Sequence, residues 1–217
     1  MSDDASLNSY RTEGYRHLRG FLARDVATAF LARMRADFAR QGHDIAALKQ
    51  AGPLLRQPAA EIYGYHYVPM ATLHWGMTPA METLVGEELA PTYCYFRLYR
   101  AGDICRVHGD RPACEHSLSL TLAYSDDRPW ALDVGTRRID APYQRADEAF
   151  GADEPYRSVA MQAGDAVLYQ GVHHHHGRVT PNPNDWSAHL FLHWVARNGP
   201  YADQAFDGQR PPERVAL

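Results

Sequence analysis

Two rhythms divide this chain. Between Asp25 and Phe38 the apolar residues Val26, Phe30, Met34 and Phe38 recur at every fourth position, which predicts an amphipathic helix burying them along one stripe. Tyr15 to Leu18 reads as a short strand before it, and Met1 to Glu13, polar and acidic, as a mobile leader. Asp44 to Gln50 forms a short helical stretch that Gly52-Pro53 ends, and Pro79 to Glu88 fits a third helix, since proline is tolerated in a first turn. From Thr92 onward the period changes to two. Tyr93, Tyr95, Arg97 and Tyr99 alternate with Cys94, Phe96 and Leu98, so this strand has one apolar and one polar-aromatic face. Ser117, Ser119 and Thr121 alternate in the same way with Leu118, Leu120 and Leu122. Ala131 to Val134, Ala166 to Tyr169 and Ala188 to Val195 add further strands, while Arg137 to Pro155, rich in Asp, Ala, Pro and Gly, reads as an inserted loop. Helices followed by many short strands predict a mainly β protein, a sheet-on-sheet barrel with supporting helices.

A chain of 217 residues, 45% of them hydrophobic, suffices to bury one core. The expectation is a single domain over 1–217, made of a leader (1–13), helical support (14–90), a barrel core (91–200) and a tail (201–217). With 22 basic against 26 acidic residues and a net charge of -4, the balance argues against an electrostatic grip on nucleic acid or an anionic membrane. No apolar run approaches the length that spans a bilayer. Lys49 is the only lysine, so any anion site is built from arginine or from neutral donors. Cys94, Cys105 and Cys114 are odd in number and lack a CxxC pair, which favours reduced thiols and a cytoplasmic location. The polar start of the chain shows no export signal.

The candidate chemistry begins at His108-Gly109-Asp110. Residues two apart on an extended segment point to the same side, so His108 and Asp110 can bind one ion together; at an exposed turn the same three residues are ordinary turn chemistry. Far downstream, His173-His174-His175-His176 follows the apolar segment Ala166 to Tyr169. Four histidines in a row read by themselves as a solvated tract, but their place just after a strand makes one of them a candidate third ligand. Two imidazoles and one carboxylate on one face, with open positions opposite, form the ligand set of non-haem Fe(II) oxygenases.

Longer words carry a resemblance. The runs Pro91 to Asp103, His108 to Glu115, Gly164 to Gly171 and Phe191 to Val195, in that order and spacing, resemble the Fe(II) and 2-oxoglutarate dependent dioxygenases. The likeness is to their prolyl-hydroxylase-like bacterial and phage members, and it covers Pro91 to Tyr201, with a looser match in the N-terminal strand and helix. It implies a double-stranded β-helix, a jelly-roll of the cupin type, with Fe(II), 2-oxoglutarate and O2 as cofactor and co-substrates. It also implies hydroxylation of a C–H bond of a small molecule, amino acid or peptidyl residue, with release of succinate and carbon dioxide. His108 and Asp110 are the near ligands by this likeness. The family's distal word, Tyr-x-Gly, four residues, His, any residue, Arg, aligns on Tyr169, Gly171, His176 and Arg178, making His176 the third ligand. His175 is the runner-up, because a shift of one residue reverses which side chain points inward. His173 and His174 are left to a solvent-facing loop. Related halogenases carry a small residue where this chain has Asp110, so the carboxylate favours hydroxylation.

The far carboxylate of 2-oxoglutarate needs a cation or several donors. The family commonly places Arg or Lys on the strand after the distal histidine, and Trp186-Ser187-Ala188-His189-Leu190 has neither. Tyr99, which aligns with a co-substrate tyrosine, and Arg97, Arg178, Ser187 and His189 are the candidates. Each has a scaffold alternative, such as a carboxylate partner for Arg97, packing for Tyr99 or a satisfied core position for His189. Arg106 and Arg111 flank the metal motif as candidate substrate residues, Arg111 equally as a bridge to Glu115. Trp75, Trp130 and Trp186 either line a mouth or fill a core. No residue beyond the three ligands is assigned to catalysis. Two other functional classes stay open: a jelly-roll metal oxygenase or isomerase that uses no 2-oxoglutarate, which the missing Arg or Lys supports, and a non-catalytic metal-binding domain. Against the second stands the absence of the four-ligand set usual for structural zinc.

Overall fold

Strands with one oily and one polar face are stable when two such sheets face each other and a helical layer covers the remaining oily side. The computed structural model, which describes residues 10–140 and 145–209, has this arrangement. In chain order its elements begin with β1 (Tyr15–Leu18), α1 (Arg24–Arg40), β2 (Lys49–Gln50), β3 (Ala59–Tyr63), α2 (Val68–Gly76), α3 (Thr78–Val85) and β4 (Leu89–Arg100). Then come β5 (Cys105–His108), β6 (His116–Tyr124), β7 (Trp130–Arg138), β8 (Tyr156–Met161), β9 (Ala166–Tyr169), β10 (His174–Arg178) and β11 (Trp186–Ala196). A seven-stranded sheet runs β1-β9-β6-β11-β4-β3-β2 and a four-stranded sheet runs β5-β10-β7-β8. Every neighbouring pair is antiparallel, and the two sheets make the mainly β jelly roll that the sequence pattern predicts.

The helix-facing side of the large sheet holds the main core. Phe96 and Leu98 of β4, Leu118, Leu120 and Leu122 of β6, and Leu190, Leu192 and Trp194 of β11 pack with Ala27, Leu31, Met34 and Phe38 of α1. The α1 stripe therefore differs from the expected one, and Val26 is half exposed at 50%. A strict spacing of four drifts about 40° per step around a helix of 3.6 residues per turn, so a stripe that keeps to one side mixes steps of three and four. Small Ala27, which carries no conspicuous apolar signal, is the residue that closes against the sheet.

Other local differences have equally local causes. Asp44 caps a single 3-10 turn (Ile45–Ala47), its carboxylate accepting from the Ala46 amide, and Lys49–Gln50 is the edge strand β2 rather than helix. Helix α3 stops at Val85 because Gly86 takes the left-handed conformation (φ 84°) in which only glycine is comfortable. Segment 14–90 contributes β1, β2 and β3 to the large sheet besides its helices. Of the expected leader, 1–9 lie outside the described residues, but Tyr10 is buried with its hydroxyl 2.8 Å from His116 Nδ1. Within the expected inserted loop, Arg137 and Arg138 finish β7 and β8 follows at Tyr156. All three cysteines are free and buried. Among the described residues no helix is long and apolar enough to cross a membrane.

Candidate metal centre

The opposite, inward side of the large sheet faces β5 and β10. These two short strands pair antiparallel with His108 directly across from His176, so the two imidazoles stand side by side, their rings 4.4 Å apart. Just beyond β5 the Asp110 amide donates to the Gly171 carbonyl (2.9 Å), which turns the Asp110 carboxylate between the rings. Asp110 Oδ1 lies 3.5 Å from His108 Nε2 and Oδ2 lies 3.4 Å from His176 Nε2. One ligand atom from each of His108, Asp110 and His176 falls within 4.8 Å of the others.

Backbone carbonyls fix the tautomers. His108 Nδ1 donates to the Arg106 carbonyl (2.7 Å) and His176 Nδ1 to the His174 carbonyl (2.9 Å). A carbonyl can only accept, so each Nδ1 carries a proton and each Nε2 is turned toward Asp110, the orientation a metal requires of its histidines. Burial pushes the Asp110 carboxyl up, but His176 and His108 together draw it well below the usual carboxylate range, so it stays ionised. Burial, then the neighbouring His176, lowers His108.

The Tyr-x-Gly word acquires a physical meaning. The Tyr169 ring lies 4.5 Å from the His176 ring. A Cβ on Gly171 would overlap Asp110 Oδ2 and approach the Cys114 carbonyl to 2.8 Å, so only glycine leaves room for the carboxylate. His175 points the other way, its Nδ1 2.5 Å from Glu154 Oε1. His174 is not in a solvent-facing loop: it is buried at the head of β10 and donates to the Gly135 carbonyl (2.8 Å), because β10 starts within the histidine run. His173 is half-buried.

Beyond His108, Asp110 and His176 the chamber is walled by Tyr95, Arg97, Tyr99, Tyr169, Arg178, Phe191 and His193, among others. Arg97 and Tyr99 come from β4, and Arg97 is ion-paired with half-buried Glu61 (2.6 Å) while donating to the Tyr99 hydroxyl (3.0 Å). Arg178, fully buried, differs. Its guanidinium donates to the Trp130 carbonyl (3.0 Å), to Ser119 Oγ (3.3 Å) and to His189 Nδ1 (3.4 Å), all neutral acceptors. Among the described residues it has no carboxylate partner. Burial and then Arg178 hold the His189 imidazole neutral, with its Nδ1 accepting and its proton therefore on Nε2. Arg178 Nε, Ser187 Oγ and His189 Nε2 are buried and have no hydrogen-bond partner.

The remaining candidates lie elsewhere. Arg106 is turned away from the chamber, held by the Pro53 and Leu55 carbonyls (2.8 and 2.7 Å) and near Glu148. Arg111 is paired with Asp207 (2.7 Å) and lies 4.1 Å over the Tyr93 ring. It does not bridge to Glu115, which instead accepts the Ala196 amide (2.8 Å). Trp130 is core beside Arg178, Trp186 packs at the edge of the helical core, and Trp75 is 57% exposed. Sequence reasoning passed over Tyr95, Tyr169, His193 and Ser117 as site residues. Tyr95 and His193 sit on the same period-two faces as Arg97 and His189, which was the available signal.

At the level of sequence, no protein-family model and no curated protein matches the chain. Solved structures do. A prolyl-4-hydroxylase of Pseudomonas putida superposes with a TM-score of 0.59 at 18% identity, covering 90% of this chain and 99% of that one. A Burkholderia pseudomallei oxidoreductase of the 2OG-Fe(II) oxygenase family gives 0.64 at 16% identity, over 92% and 93%. HygX from Streptomyces hygroscopicus, with nickel, 2-oxoglutarate and hygromycin B bound, gives 0.64 at 11% identity, over 89% and 87%. The fold is that of the 2-oxoglutarate and Fe(II) dependent oxygenases. In this oxygenase fold, then, the chain places two tautomer-locked histidines, an ionised aspartate and an unpaired buried arginine around one chamber.

Proposed function

We propose that this chain is a non-haem Fe(II) and 2-oxoglutarate dependent dioxygenase that hydroxylates a C–H bond of a small molecule, amino acid or peptidyl residue. The observation that carries the reading is the pairing, in one chamber, of an open two-histidine, one-carboxylate set with a buried cation lacking a counter-ion. Burying a cation among neutral acceptors is costly, and a carboxylate arriving beside it recovers that cost. Arg178 Nε, Ser187 Oγ and the protonated His189 Nε2 are the unsatisfied donors that the far carboxylate of a five-carbon diacid would engage. They fit the co-substrate, with Arg178 of β10 supplying the cation that the strand after the distal histidine lacks.

His108, Asp110 and His176 would hold the iron. Bound there, iron and 2-oxoglutarate supply oxidising power from dioxygen for C–H hydroxylation, releasing succinate and carbon dioxide. Arg178 orients the diacid by its far end. Tyr95 and Tyr169 line the chamber, and burial holds both phenols protonated well above their ordinary range, so their hydroxyls serve as donors to whatever enters. The free chamber measures about 20 Å³, room for one water, so entry of the diacid displaces side chains outward.

Anaerobic addition of Fe(II) and then 2-oxoglutarate should produce a visible metal-to-ligand charge-transfer band. Asp110→Ala should lose metal binding and band together. Arg178→Met should keep the metal but weaken the diacid by on the order of 100-fold, roughly 3 kcal/mol. No band in the wild-type protein, together with no succinate on aerobic incubation with candidate substrates, would sink the co-substrate assignment.

A further inference from the structure

Exposed large apolar side chains cluster on one side of this molecule. Of the six among the described residues, Tyr65, Val68, Trp75 and Phe206 lie on α2, the turn before it or the segment facing it. Val68 and Trp75, seven residues apart on α2, share a helix face. Tyr65, Trp75 and Phe206 line a groove of about 250 Å³ floored by Gly64, Ala71 and Tyr93. Tyr65 is 69% exposed, one ring face covered by Tyr63 (5.3 Å, interplanar 19°), and Trp75 meets Phe206 edge to face (5.7 Å, 70°). Such ring faces, gathered in one groove with no core role, mark a ligand site rather than ordinary surface scatter.

The groove adjoins the wall of the metal chamber at Tyr93. The Tyr93 ring stacks 4.5 Å from His193, which lines the chamber, and its hydroxyl lies 3.1 Å from Cys114 Sγ. Arg111 caps the same ring and is neutralised by Asp207, the only carboxylate among the described residues of the groove lining. His74, the one histidine of the lining, is buried and donates to the His193 carbonyl (2.8 Å). Among the described residues the lining thus offers aromatic surface and no free charge.

We infer that this groove is the subsite for a planar, uncharged ring system forming the non-reacting body of a small-molecule substrate, with Trp75 and Tyr65 as its recognition residues. The assignment rests on the oxygenase reading for the reacting end of the substrate only. The ring stacks on Tyr65 and Trp75, and Tyr93 and His193 stand between it and the three residues that would hold the iron.

The 217-residue chain carries four tryptophans, so 5-fluorotryptophan labelling gives four fluorine resonances, and Trp75→Phe assigns the one of interest. Titration with 2-naphthol should shift the Trp75 resonance saturably and leave buried Trp130 and Trp194 unmoved. Tyr65→Ala should weaken 2-naphthol at least fivefold, while Asp110→Ala should bind it as the wild type does. An unmoved Trp75 resonance at millimolar 2-naphthol, equal affinity in Tyr65→Ala, or a response to an aromatic peptide but not to 2-naphthol would each overturn the subsite. The charge-transfer band recorded on the same samples separates the two readings. Ring binding without a band sinks the oxygenase assignment alone, and a band without ring binding sinks the groove alone.

Discussion

Both faces of strand β6 are equally buried, yet they do opposite work. On the helix side Leu118, Leu120 and Leu122 interlock with α1 and with β11, and contact there is apolar on apolar. On the chamber side Ser117 lies 2.8 Å from His193 Nδ1, Ser119 accepts from Arg178, and Thr121 Oγ1 lies 3.2 Å from His189 Nδ1. The first face is satisfied by packing alone. The second leaves donors unused at Arg178, Ser187 and His189. A buried surface with spare hydrogen-bonding capacity is a site waiting for a ligand, and its cost is carried by the fully satisfied face one residue away.

Three perturbations would break or sharpen that contrast. The largest effect is expected on the chamber side at Gly171, where an added Cβ collides with Asp110 and with the Cys114 carbonyl. Gly171→Ala should weaken divalent metal by on the order of 100-fold while leaving the far-ultraviolet circular dichroism unchanged, as titration calorimetry with Co(II) can show. Metal binding at wild-type strength would mean that Asp110 is seated by something else. Next comes the helix side, where Leu120→Ala should cost about 2–5 kcal/mol in urea denaturation. Metal and diacid should still bind under folding conditions, because the side chain points away from the chamber.

The smallest effect concerns His74 beneath Trp194. Burial lowers its imidazole from 6.5 to about 4. A depressed histidine is neutral when folded, and the unfolded chain takes up the extra proton, so stability is complete above pH 6.5 and falls as the pH drops toward 4. By pH 5 the loss is about 2 kcal/mol, and His74→Gln, which keeps a donor for the His193 carbonyl, should flatten this part of the profile. An unchanged slope in the variant would assign the acid sensitivity to other buried histidines.

Much of this was readable along the chain where a period persists. Seven residues of strict alternation in β4 and in β6 are enough to say which side chains share a face, so Arg97 and Tyr99 could be grouped before any fold was known. Strands β2, β3, β5, β8 and β10 escaped, and β10 is made of histidine, glycine and arginine. Such a stretch has no apolar alternation of its own, and pairing with neighbours makes it a strand. His174 was misplaced for this reason, whereas Ala27 was overlooked because a small side chain carries little apolar signal.

By itself, the sequence determined that strands with one apolar and one polar face would form a sheet-on-sheet barrel with supporting helices, and that His108 and Asp110, if extended, would share a side. Its family likeness singled out His176. Only the tertiary structure decided that β5 lies against β10 with His108 opposite His176, that backbone carbonyls lock both imidazoles, and that Arg178 rather than Arg97 lacks a counter-ion. The reason is physical: periodicity is a property of one strand, whereas coordination, tautomer choice and charge compensation depend on partners distant in sequence, which only packing brings within reach.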